Sequence, residues 1–152
     1  MEELVKNIEL LLKYSDLKLY VLIGMDISKN IPFDINQVMQ SQEIEDYEKG
    51  GYLQNQHRKD FIQIMNDKIK SIDRWYHIGK SWFIKHKNKF RKSVCTNKTL
   101  KFIRQSDEIE FIIDIINLIL PEKNINSLAS IASSILIARK GLNIFCKDFD
   151  EN

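Results

Sequence analysis

The sequence predicts an all-α fold, a single compact bundle of about five to seven helices. Three observations lead there. Only five glycines and two prolines occur in 152 residues, fewer than turn-dense β architectures use. Phe61, Met65, Ile69, Ile72 and Tyr76 recur at steps of three and four, the one-face stripe of an amphipathic helix. Residues 109–120 are apolar on nearly every side, interrupted only by Glu110, Asp114 and Asn117, which predicts a helix at the centre of the bundle. The alternative is a small α+β domain in which 17–25, 99–104 and 142–149 make a minor sheet. Residues 1–152 read as one domain. A chain of this length buries about two-thirds of its unfolded surface, enough to fold without metal or disulfide. Residues 148–152 read as a frayed acidic tail.

The elements follow in order. Leu4, Val5, Ile8, Leu11 and Leu12 share a face, with Glu9 and Lys13 four apart outside it, so a first helix runs over about 2–14. Ser15-Asp16 opens the next element. Its apolar run, Leu17 to Met25, suits helix or strand by periodicity, and helix is the preferred reading. Pro32 forces an extended connection at Ile31. Asp34 or Asn36 then caps a helix to about Lys49, stopped by Gly50-Gly51. Phe83, Phe90 and Val94 continue the central stripe beyond Gly79, so residues 56–94 form one long helix or two joined by a kink at Gly79. Asp107, with Glu110 three residues on, starts the apolar helix that Pro121 ends. A last helix over about 127–140 is dense in Ala and Ser and closes at Gly141. Its small residues either close the core or meet a second copy of the chain.

Charge is unevenly placed. The chain carries a formal net charge of +2, yet residues 1–56 hold −5, residues 57–104 hold +11 with all three histidines, and residues 105–152 hold −4. Such a basic middle either meets an anionic partner or is neutralised by its own flanks. On the 80–94 helix Lys85, Lys89 and Lys92 fall in one sector, with Lys87 and Arg91 beside the apolar stripe. Tyr76, Phe83 and Phe90 sit on the core stripe, whereas Trp75 and Trp82 diverge from it.

Motifs for chemistry are missing. Gly79-Lys80-Ser81 resembles the end of a phosphate loop, but position 74 is Arg where that loop needs Gly, and the segment before it is helical. No Arg is followed by a His four to six residues later, as HEPN ribonucleases require. His57, His77 and His86 lack metal-ligand spacing, and His86 reads as a partly buried, hydrogen-bonded residue. Nothing resembles a nucleophile elbow. Cys95 and Cys146 stand alone, as reduced thiols of a cytoplasmic protein do. The longest apolar run, twelve residues, is too short and too polar to span a bilayer.

The expectation is therefore a non-enzymatic, cofactor-free, metal-free cytoplasmic module: an adaptor, inhibitor or regulatory subunit. Trp75 and Trp82 would anchor an acidic protein partner, and Arg74, Lys85, Lys89 and Lys92 would steer it. The alternative is a nucleic-acid-binding protein using the same 57–104 segment without strong sequence preference.

Overall fold

A computed structural model describes residues 2–50, 67–96, 107–119 and 127–149. These form a compact helical bundle, and no strand occurs among the described residues. The helices are α1 (Glu2–Leu11), α2 (Asp16–Ile27), α3 (Ile35–Met39), α4 (Gln42–Lys49), α5 (Asp67–Val94), α6 (Glu108–Ile119), α7 (Leu128–Lys140) and α8 (Leu142–Phe145). Residues 17–25 lie within α2, and 142–149 begin as α8 and end in turns. The expected strand over 99–104 lies outside the described residues, as do 56–66 of the long helix and 150–152 of the expected tail.

Polar residues set the boundaries. The Ser15 hydroxyl accepts from the Lys18 amide at 3.2 Å, starting α2. Asp34 accepts from the Gln37 amide to start α3, and Ser41 from the Ile44 amide to start α4. The single helix expected up to Lys49 is thus two. A hydroxyl at position 41 offers the backbone a competing partner and restarts the helix there. Helix α1 stops at Leu11, short of the expected residue 14. Arg139 donates to the Leu12 carbonyl at 3.0 Å and the Tyr14 carbonyl at 2.7 Å, and also pairs with Asp16 at 2.8 Å. One guanidinium thereby holds the turn between α1 and α2.

The bundle's centre is not the isoleucine-rich helix. Helix α6 buries one face, Phe111, Ile112, Ile115, Ile116 and Ile119, and leaves Glu110 and Asn117 exposed. The longest continuous buried stretches lie instead in α2, where Val21 to Met25 are all buried, and in α7, where every residue from Ala129 to Ile137 is buried. Alanine and serine let neighbours approach α7 closely on the faces they occupy. The small-residue face of 127–140 consequently closes the chain's own core and is not available to a second copy. Ser127 leaves the α7 cap to another helix. Asp26 of α2 accepts from the Ser127 hydroxyl and the Ala129 amide, both at 2.8 Å.

Helix α5 runs through Gly79 as one helix of 28 residues. Gly79 is a crossing point, not a kink. A Cβ there would overlap the Tyr20 carbonyl of α2, and one on Gly24 would overlap the Trp75 carbonyl of α5. Around this crossing Tyr20 meets Tyr76 and Phe83 edge-on, both at 5.9 Å.

Cys95 and Cys146 are joined in a disulfide, correcting the expectation of two reduced thiols. The pairing unites the end of α5 with the residue after α8, 51 positions on. In the chain-entropy view, closing a loop of that length stabilises the fold by about 4 kcal/mol. It also removes the argument from unpaired cysteines for a cytoplasmic setting. No helix among the described residues is long and apolar enough to cross a membrane.

Three measurements test these contacts. Gly24→Ala and Gly79→Ala each force one backbone off another and should cost about 3 kcal/mol in urea unfolding, the upper end for overpacking. Lys29 ends α2 in the left-handed conformation, φ 58°, while Lys29 and Asn30 amides donate back to the Asp26 and Met25 carbonyls. Glycine suits that position, so Lys29→Gly should stabilise by about 1 kcal/mol. Finally, burial, followed by the nearby Asp34 carboxylate, pushes the Tyr14 hydroxyl from its ordinary 10 up to about 12. The folded state then keeps a proton that the unfolded chain releases. Stability should be full below pH 10 and fall toward pH 12, less steeply in Tyr14→Phe.

Candidate functional site

The roll of α5 decides which side chains reach solvent. With Ile72, Tyr76, Gly79, Phe83, Phe90 and Val94 facing inward, the opposite face carries Lys70, Arg74, Lys85, Lys89 and Lys92, all exposed. At about 100° per residue, Arg74, Lys85 and Lys92 lie along nearly one line, with Lys70 and Lys89 to either side. The stripe runs about 33 Å along the helix. Ile84, 59% exposed, sits at its edge.

Among the described side chains, no ion pair joins Lys70, Arg74, Lys85, Lys89 or Lys92 to a carboxylate. The ion pairs there are Lys18 with Glu45 and Glu48, Asp16 with Arg139, and His77 with Asp73. Neutralisation of the basic middle by its acidic flanks is therefore not seen among the described residues. Lys80 lies 5.7 Å from the Tyr76 ring. Arg91 turns away from the stripe: its Nη2 donates to the Lys147 carbonyl at 2.6 Å, and its guanidinium lies over Phe149.

The two tryptophans, equivalent in sequence, have different surroundings. Trp82 is half-buried and stacked on His86, ring centres 4.4 Å apart, with Phe90 at 5.8 Å. His86 is part-buried, and its Nδ1 lies 2.9 Å from the Trp82 carbonyl oxygen. This stack borders Lys85 and Lys89. Trp75, also half-buried, instead forms one wall of a cavity of about 470 Å³ with Met25, Pro32, Val38 and Ile72, beneath Gln37 and Asn30. Phe33, fully exposed, stands beside that cavity next to Pro32.

The structure thus brings Trp82, Lys85, Lys89 and Lys92 together within three turns of one helix. Arg74 shares their face but lies about 16 Å along the axis from Lys85. Trp75 is separate, on the cavity side. Sequence reasoning missed the cavity, whose walls come from α2, the 30–41 segment, the start of α4 and α5. It also missed Arg91's engagement by the C-terminal segment. The only signal for the crossing was glycine placed inside two helical patterns. Comparison with protein-family models, curated proteins and solved structures finds no match to this chain.

Proposed function

We propose that this chain is a non-catalytic interaction module, an adaptor, inhibitor or regulatory subunit, whose α5 face docks an acidic protein surface. The observation that carries this reading is the row of exposed cations without carboxylate partners among the described residues, bordered by the Trp82–His86 stack. Such a row raises association rates with an acidic partner and sets its orientation. A half-buried tryptophan held by a ring stack loses little freedom on binding and makes a suitable anchor. Exposed Ile84 adds an apolar contact beside the lysines, a mixture that suits a protein surface better than a phosphate backbone. Arg74 extends the same field, and Trp75 belongs to it only if the partner reaches the cavity side.

Nucleic acid without strong sequence preference is the second reading. The planar stack next to Lys85 and Lys89 favours it, since bases stack on exposed rings while lysines neutralise phosphates.

Fluorescence anisotropy with a labelled polyglutamate peptide, and with labelled single- and double-stranded oligonucleotides, separates the two at low and moderate salt. The protein-partner reading expects saturable peptide binding. Reversing Lys85, Lys89 and Lys92 to Glu should weaken it at least about tenfold. Trp82→Ala should weaken it by about 2 kcal/mol, roughly thirtyfold, with circular dichroism unchanged. Oligonucleotide binding that is tighter and falls steeply with salt selects the second reading. No binding to any probe at low salt overturns both, and unfolding of Trp82→Ala makes that residue a core element instead.

A further inference from the structure

The last turn of α5 makes three separate attachments to the chain's C-terminal segment. Cys95 is bonded to Cys146. Arg91 Nη2 donates to the Lys147 carbonyl at 2.6 Å, and the guanidinium lies over the Phe149 ring, 5.5 Å from its centre. One turn of helix thus holds residues 146–149 in place.

The segment does not rest there comfortably. Arg91 Nε is sealed from solvent with no hydrogen-bond partner, although water would satisfy it at once if the segment left. Asp148 is held in the left-handed region, φ 61°, which aspartate enters more readily than most residues but less readily than glycine. Two unfavourable features are therefore confined to the stretch that the disulfide pins. Upstream the situation reverses: Leu142 and Phe145 are buried in the core. A release would begin after Phe145 and leave α8 seated.

We propose that the Cys95–Cys146 disulfide is a redox latch. Closed, it holds residues 146–149 across the end of α5 and keeps Arg91 engaged. Open, it lets the segment lift and adds Arg91 to the cationic face beside Lys92. A dithiol reductant operates it. Cys146 is half-buried and Cys95 is 7% exposed, so the reductant's thiolate attacks Cys146 Sγ. The protein S–S bond breaks, a mixed disulfide forms at Cys146, and Cys95 leaves as the thiolate and takes up a proton. The reductant's second thiolate then attacks its own sulfur in the mixed disulfide. Cys146 leaves as a thiolate and is protonated in turn. Two electrons have passed to the protein, and the reductant ends as its cyclic disulfide. The release is independent of the docking face; its effect on affinity rests on the function proposed above.

The test uses the full chain, air-oxidised or treated with dithiothreitol, with alkylation and mass measurement to count thiols. Hydrogen exchange reads the amides of Cys146, Lys147 and Phe149, which donate to the Leu142, Ile144 and Cys146 carbonyls and so tie the segment to the end of α8 and to itself. The latch expects no alkylatable thiol before reduction and two after it. It also expects at least about tenfold faster exchange at those three amides and unchanged exchange in α2. The Cys95→Ser, Cys146→Ser double variant should match the reduced protein without reductant. Polyglutamate affinity should rise about threefold on reduction, and Arg91→Ala should abolish the rise. Free thiols in the oxidised protein, unchanged exchange at 146–149, or loss of protection throughout α2 on reduction would each overturn the latch. Release with unchanged polyglutamate affinity overturns the coupling, whereas absence of polyglutamate binding in both states overturns the docking face and leaves the release to be judged by exchange alone.

Discussion

Everything the cationic face of α5 presents depends on two missing side chains. Gly24 and Gly79 sit on different helices, each where the other helix's backbone passes. Without Cβ atoms, α2 and α5 approach until carbonyl and glycine touch. That contact sets the roll of α5 about its own axis. With Gly79 turned inward, Arg74, Lys85 and Lys92 lie more than about 100° away around the helix and must face solvent. The same roll inserts Tyr20 between Tyr76 and Phe83. It also turns the Trp75 and Trp82 flank sideways. A larger residue at either glycine would change the spacing and the roll together, and with them what α5 presents.

How much of this the sequence revealed depends on whether a feature belongs to one helix or to two. The inward stripe of α5 and its lysine face are periodic within a single helix, and both were readable. Periodicity alone does not separate helix from strand at α2, because five consecutive buried residues, Val21 to Met25, lose the alternation that identifies either. The centrality given to residues 109–120 failed for a related reason. Apolar character all round reports what a helix tolerates, whereas the small residues of α7 decide what can pack around it. Trp75 and Trp82, seven residues apart on one flank, were indistinguishable until their neighbours were known. One faces the 30–41 segment and the other stacks on its own helix's histidine. The disulfide lay furthest out of reach, since its cysteines are 51 residues apart and only the tertiary fold brings their Cα atoms to 5.6 Å.

The acidic flanks, at −5 and −4, could offset most of the +11 of the basic middle, yet several of their carboxylates are committed elsewhere. Asp26 caps α7, Asp34 caps α3, and Asp107 accepts from the Ile109 amide at the start of α6. Asp16 holds Arg139, and Glu45 and Glu48 hold Lys18. Carboxylates near helix N-termini satisfy open amides and favour the positive end of the helix dipole. A surface pair with a flexible lysine returns little by comparison.

Lys85, Lys89 and Lys92 of α5 are left in an exposed row without carboxylate partners among the described residues. Lys85 and Lys89 are four apart, and Lys89 and Lys92 three apart, so each pair repels by about 0.2–0.5 kcal/mol on the helix surface. A solvated helix face kept only for solubility would mix signs and remove that penalty. This face keeps one sign instead, beside a half-buried aromatic stack. Salt screens part of the repulsion, and a negatively charged surface seated on the row would remove more of it. That is the physical reason to look for an acidic partner there, and to regard the half-sealed Arg91 at the end of the same helix as part of one electrostatic surface.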